Sequence, residues 1–226
     1  MARRTTSRPR ETTADRTART LRILDRLRAT YPDAHCELHF ANPLQLLVAT
    51  ILSAQCSDRQ VNIVTASLFP RYPTAAHYAQ APLPELEDAI RRIGLFRNKA
   101  KNVIALSEII LRQHGGEVPL NREDLEALPG VGRKTASVVL NELGVEPAIA
   151  VDTHVFRVSH RLRLSAGKTP DKVEQDLMAI VPEPYLTRAH HWLILHGRYV
   201  CMARKPKCLE CRVGDLCPSR ELFVGS

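Results

Sequence analysis

From residue 20 onward apolar residues recur every three or four positions, the period of a helix with one buried face. Leu21, Leu24 and Leu27 mark the first such stripe, and Tyr31-Pro32 ends it, because a residue before proline is pushed out of the helical region. Asn42-Pro43 joins a capping side chain to a proline suited to the first helical position, and opens the nearly unbroken apolar run 44–52. A run without a polar stripe predicts a helix buried on all sides. Asp58 is expected to cap the next helix and Thr74 a short one; 84–93 is expected to close on Gly94, and 97–114 to end at Gly115-Gly116. Beyond Gly167, Thr169-Pro170-Asp171 starts a helix to 181, residues 182–184 break it, and 190–198 forms the next. No stretch alternates strongly enough to predict a strand. The fold class is all-α.

Between these helices lies the stretch that carries chemistry. Asn121-Arg122-Glu123-Asp124 starts a short helix, and Pro129-Gly130 stops it, since proline lacks the donor and glycine tolerates positive φ. A new helix begins near Gly132. The result is two helices joined by a tight Gly130-Val131-Gly132 hairpin, whose second helix opens with unpaired N–H groups and the positive end of a dipole. Such a turn suits an anion. Lys134 sits in the first turn, next to Arg133, in a positive field that disfavours an ammonium and favours a lone pair free to attack carbon. By itself a lysine is more simply a solvated charge or a phosphate contact. Asp152 precedes the helical pattern of residues 153–158, so capping and catalysis are about equally open to it.

Composition narrows the partner. The chain has 226 residues, enough for one large domain or two small ones. Its net charge of +8 and pI near 9.4 favour a polyanion. Aromatics at 5% argue against a base-stacking sheet. No apolar run is long enough to span a bilayer, and no secretory signal is recognisable, so a soluble intracellular protein is expected. Residues 1–19, with arginines at 3, 4, 8, 10, 16 and 19 among threonines, are expected to be a disordered basic tail. That tail either tethers nucleic acid non-specifically or has no role; Glu11, Asp15 and the lack of an amphipathic stripe argue against a mitochondrial presequence.

Cys201, Cys208, Cys211 and Cys217 follow the spacing C-x6-C-x2-C-x5-C. Disulfides are disfavoured where thiols stay reduced, so a metal centre is expected. Spacing alone ranks zinc and an iron–sulfur cluster close together. Cys36 and Cys56 are left over as free thiols, and His190, His191 and His196 are expected to pack in the core or bond locally, having no H-E-x-x-H pattern.

The run Leu128-Pro129-Gly130-Val131-Gly132-Arg133-Lys134-Thr135-Ala136 resembles the helix-hairpin-helix of the DNA glycosylase superfamily. With Val151-Asp152-Thr153-His154-Val155 it resembles the endonuclease III branch, over nearly the whole chain. The resemblance implies a bifunctional DNA glycosylase and abasic-site lyase that releases oxidised pyrimidines. In it Lys134 forms a Schiff base and Asp152 assists; one [4Fe–4S] cluster per chain is held by Cys201, Cys208, Cys211 and Cys217. It implies DNA contacts from Gly130, Val131, Gly132 and Arg133. Gln55 and Leu95 match positions from which such enzymes push side chains into the stack to fill the gap left by an extruded nucleotide. Without the resemblance, Gln55 reads as a helix-end polar group and Leu95 as core. Cys56 departs from the Ala or Thr expected after Gln55.

The spacer between the first two cluster ligands holds Arg204, Lys205 and Lys207, which a structural cluster would aim at a phosphate backbone. Two helical domains are expected, with a DNA-binding cleft between them. Residues 37–146 form a bundle carrying the hairpin; 20–36 form an N-terminal helix that packs with the cluster domain, 147–226. The partner is double-stranded DNA containing damaged pyrimidines or abasic sites, met by a monomer in a bacterial cytoplasm, associated with the nucleoid. Two alternatives remain open: a monofunctional glycosylase using Asp152 and water, and a non-catalytic module that only grips DNA.

Overall fold

The computed structural model describes residues 11–224. In chain order its helices are α1 Thr13–Thr30, α2 Pro43–Ser53, α3 Asp58–Arg71, α4 Ala75–Ala79, α5 Leu83–Ala89, α6 Phe96–Gln113 and α7 Arg122–Glu126. After them come α8 Arg133–Glu142, α9 Thr153–Arg161, α10 Pro170–Ile180 and α11 Glu183–Tyr199, then two 3-10 turns, Gly214–Leu216 and Arg220–Leu222. There is no strand among the described residues. The chain divides into two compact units: His35–Ala150, and the residues up to Ala34 together with those from Val151.

The first unit, α2 to α8, is organised around α2. Leu44 and every residue from Leu46 to Leu52 are buried there, so this helix is enclosed, as its unbroken apolar run requires. Asn42 caps it by accepting the Gln45 amide at 2.9 Å. Helices α3, α6 and α8 pack on α2, while α4 and α5 pack on α6. In the second unit α11 packs on α1 and α9, and α10 on α1 and α9. Ile23, Leu24 and Leu27 of α1, Val155 and Val158 of α9, and Trp192 and Leu193 of α11 are buried. Gly197 permits the crossing of α11 over α9: a Cβ there would lie 2.9 Å from the His154 Cβ.

Several expectations change. The disordered tail expected through residue 19 is helical from Thr13, and residues 1–10 lie outside the described residues. Thr12 and Asp15 form a reciprocal capping box that starts α1. Arg19 is held by Glu11 and donates to the Leu162 carbonyl at 2.7 Å. Ser57, not Asp58, caps α3. The helix expected over 84–93 stops at Ala89 and leaves turns up to Leu95. The break expected over 182–184 is shorter: Val181 and Pro182 alone separate α10 from α11, which begins at Glu183 rather than near His190, and Pro184 lies in its first turn, where a missing N–H removes no hydrogen bond. The unit boundaries lie a few residues from the expected ones.

Candidate active site and metal centre

In the first unit the hairpin is built by one turn. Val131 N donates to Leu128 O at 3.1 Å, with Pro129 and Gly130 between them and Gly130 at φ 80. Those are the residues a type II turn selects. A Cβ on Gly130 would lie 2.6 Å from Asn102 Nδ2 of α6, so the turn is seated on that helix. Gly132 is different: its φ is −101, and a Cβ there would meet nothing within 4 Å. It is the N-cap of α8 and supplies no side-chain cap. The first-turn amides of α8 have no intrahelical acceptor, which leaves an anion-binding end. Arg133 and Lys134 are exposed on that turn, whereas the Val131 side chain is 6% exposed. What Val131 can offer DNA is therefore its backbone; its side chain belongs to the core.

Gln55 and Leu95 share a conformation that the sequence did not reveal. Both are left-handed, at φ 57 and φ 60, a state costing a non-glycine residue about 1–2 kcal/mol. Both are exposed, Leu95 by 58%, so the core role that Leu95 would have without the family is excluded. Their loops adjoin, since a Cβ on Gly94 would stand 3.5 Å from the Gln55 carbonyl oxygen.

Sequence reasoning passed over Lys99. It is 5% exposed, and its Nζ donates to Leu52 O at 2.9 Å and Ala54 O at 2.5 Å, at the C-terminal end of α2. A cation is favoured there by the helix dipole. Burial lowers its pKa from the ordinary lysine value, with Cys56 opposing. The available signal was a lysine within the apolar stripe of Ala100, Val103, Leu106 and Ile110 on α6.

In the second unit Asp152 is the N-cap of α9, its Oδ1 accepting Val155 N at 2.7 Å. Helix α9 also holds the cysteine loop. Arg157 Nε donates to Cys201 O at 3.0 Å, and Arg161 donates to Met202 O at 2.6 Å and Ala203 O at 3.0 Å. Neither arginine was singled out in the sequence. Cys201, Cys208, Cys211 and Cys217 line one hollow with Arg161 and His196, and none is in a disulfide. Burial and then Cys201 raise Cys208 above the ordinary thiol value, with Arg161 and Arg220 opposing, and Cys211 is pushed up to about 11, chiefly by burial. Such a hollow resists four negative sulfurs until a cation is supplied. Among the described residues no three His, Cys, Asp or Glu groups converge on a single ion. Four thiol sulfurs lining one hollow are a donor set that a zinc ion or an iron–sulfur cluster can take. His190 and His196 are buried, as expected of core histidines, and His196 Nε2 also lies 3.8 Å from Cys211 Sγ. Arg204 and Lys205 are exposed on the loop, with Lys205 at φ 49; the Lys207 amide donates to Val200 O at 2.9 Å.

Residues 48–183 match the model of the HhH-GPD superfamily base excision DNA repair protein, and residues 201–217 that of the iron-sulfur binding domain of endonuclease III. Endonuclease III of Escherichia coli strain K12 is 49% identical over 204 residues, covering 90% of this chain and 97% of that protein. Endonuclease III of Bacillus subtilis strain 168 is 50% identical over 195 residues, covering 86% and 89%. A solved structure of a trapped endonuclease III–DNA covalent intermediate, an estranged-adenine complex, superposes with a TM-score of 0.88 at 45% identity, covering 92% of this chain and 98% of that one.

Proposed function

This chain belongs to the endonuclease III family of the HhH-GPD superfamily, and from that premise we propose that Lys134 and Asp152 carry its DNA glycosylase and abasic-site lyase chemistry. The protein is a base excision repair enzyme acting on duplex DNA that contains oxidised pyrimidines or abasic sites. One observation carries the assignment of the nucleophile: an exposed lysine in the first turn of α8, directly after the Gly130–Gly132 turn. The turn's amides bind phosphate and so fix the strand beside the amine.

The Lys134 amine forms a bond to C1′ of the extruded nucleotide as the glycosidic bond breaks, and the base leaves with that bond's electron pair and takes a proton from water. Asp152 accepts the proton lost by the amine and offsets the positive charge that develops on the sugar. The C1′–O4′ bond then breaks as O4′ takes the proton held by Asp152, and the nitrogen lone pair closes a protonated imine, which makes the C2′ hydrogen acidic. Its removal drives β-elimination: the C3′–O bond breaks, the 3′ phosphate departs and the strand is cut. Water then hydrolyses the imine and frees the lysine.

Gln55 and Leu95 are proposed to fill the space left by the extruded nucleotide, and Gly130, Gly132, Arg133 and the Val131 backbone to grip phosphate. Cys201, Cys208, Cys211 and Cys217 would hold the [4Fe–4S] cluster, whose bonds to the four sulfurs would pin the loop bearing Arg204, Lys205 and Lys207. No helix among the described residues is long and apolar enough to cross a membrane. The proposed setting is the nucleoid of a bacterial cytoplasm, with the enzyme acting as a monomer.

Borohydride trapping on a duplex with one abasic site or one thymine glycol tests the assignment. A covalent complex is expected from the wild type and none from Lys134→Ala. Base release without any trapped complex would transfer the chemistry to Asp152 and water. Binding without base release or strand cleavage would leave a non-catalytic module.

A further inference from the structure

We infer that Lys99 is a positioning residue that sets the Gln55 and Leu95 loops in register, so that the two side chains enter the DNA stack as one unit. This rests on the reading of Gln55 and Leu95 as inserted side chains. The argument begins with burial. Lys99 is 5% exposed and spends its ammonium on two backbone carbonyls, Leu52 O and Ala54 O, rather than on a carboxylate. Those carbonyls end α2 immediately before Gln55. On its own helix, the Lys99 amide donates to Leu95 O at 3.1 Å, so one residue is bonded by its backbone to one loop and by its side chain to the other.

Both loops also hold conformations that do not maintain themselves. Gln55 and Leu95 are left-handed at φ 57 and φ 60, and a non-glycine residue stays there only when its surroundings fix it. The Gln55 carbonyl oxygen lies where a Cβ on Gly94 would stand 3.5 Å away, so little space separates the two backbones. Helix α6 further carries Asn102, on which Gly130 of the hairpin is seated. Lys99 and Asn102 fall on one face of α6 at helical spacing, and Leu95 is the N-cap of that helix. A single rigid helix thus fixes Leu95, the end of α2 before Gln55, and the phosphate-binding turn.

The consequence is specific to extrusion. A paired lesion must be pushed out against stacking, which needs both side chains delivered together; an abasic site already unpaired in a bubble does not. The experiment compares Lys99→Met, Leu95→Ala, Gln55→Ala and the Lys99→Met/Leu95→Ala double variant. Extrusion is read by rapid mixing with a thymine glycol duplex carrying 2-aminopurine in the opposite strand, and chemistry by borohydride trapping on the bubble. Lys99→Met is expected to slow the fluorescence rise about tenfold while reducing trapping on the bubble less than twofold. Adding it to Leu95→Ala is expected to slow extrusion no more than twofold further, because the Gln55 and Leu95 side chains enter as one unit and that unit is already broken when Leu95 is gone.

Circular dichroism at the assay temperature establishes that each variant is folded. If Lys99→Met is not, Lys99→Gln, which keeps an uncharged N–H donor group, serves in its place with an expected defect of about threefold. Unchanged extrusion in a folded Lys99 variant, with Leu95→Ala defective, overturns the inference. So do fully additive effects of the two substitutions, or equal losses on both substrates. If neither Leu95→Ala nor Gln55→Ala alters extrusion, the reading of those two side chains is what fails, and the inference falls with it.

Discussion

The Oδ1 oxygen of Asp152 accepts the backbone N–H of Val155 at 2.7 Å, and this bond starts α9. A single carboxylate is therefore both a helix cap and the proposed catalytic group, and the two roles can be separated by substitution. Asparagine caps a helix about as well as aspartate, whereas alanine at that position loses about 1 kcal/mol. Asp152→Asn is expected to melt within a degree or two of the wild type while base release falls at least about 100-fold. Asp152→Ala is expected to lose the same activity and also melt about 2–4 °C lower. Thermal melts beside single-turnover base release decide it. An active Asp152→Asn would reduce the residue to a cap.

How far the sequence could be read depended on whether a feature is local. The caps at Asn42, Asn121, Asp152 and Thr169 lie within three residues of the amides they bind, so their helices were legible. So were the enclosed α2 and the glycine turn. The start of α1 was obscured by its arginines, although Thr12 and Asp15 already carried the capping-box spacing. The bond from Lys99 to Leu52 joins residues 47 apart, and that from Arg161 to Met202 joins residues 41 apart. Pairings of that kind exist only after the helices have packed, and no local pattern encodes them.

The two hairpin glycines are expected to fail differently. Gly130 has φ 80, and a Cβ there would lie 2.6 Å from Asn102 Nδ2. Gly130→Ala should therefore cost about 2 kcal/mol or more, a fall of about 4–8 °C in Tm. Gly132 needs no special backbone and has open space where a Cβ would go. Gly132→Ala should change stability by under about 1 kcal/mol. Its methyl group would stand where a phosphate approaches the first turn of α8, and DNA affinity is expected to fall about tenfold, roughly the worth of one lost hydrogen bond. Melting curves and binding isotherms on both variants test the contrast.

In the cysteine loop Lys205 is left-handed at φ 49 and exposed. Glycine takes that backbone without strain. Lys205→Gly is therefore expected to keep the cluster's visible absorbance and to leave Tm unchanged or raised. If Lys205 meets a phosphate, the slope of log affinity against log salt should shrink by about 0.9. Binding isotherms at four or more salt concentrations measure the slope. An unchanged slope would remove Lys205 from the DNA contacts.

Cys36 gives a prediction on pH. Burial pushes its thiol up from 9.0 to about 12, with Glu142 adding in the same direction. The thiolate is the reactive form, so iodoacetamide at pH 8 is expected to leave Cys36 unmodified in the native protein and to modify it in urea. The stability effect has a definite sign. The unfolded thiol loses its proton near 9.0 and the folded one only near 12, so between those values the unfolded state holds fewer protons. Stability is then lost as pH rises, by up to about 1.4 kcal/mol per pH unit from this one group. Other groups titrate in the same window, so the measurement is a difference: urea unfolding of the wild type and of Cys36→Ala at pH 8, 9.5 and 10.5. The stability of the wild type relative to Cys36→Ala should be constant up to about pH 9 and then decline. A relative stability that stays flat across the whole range would mean that the Cys36 thiol ionises as readily in the folded protein as in the unfolded one.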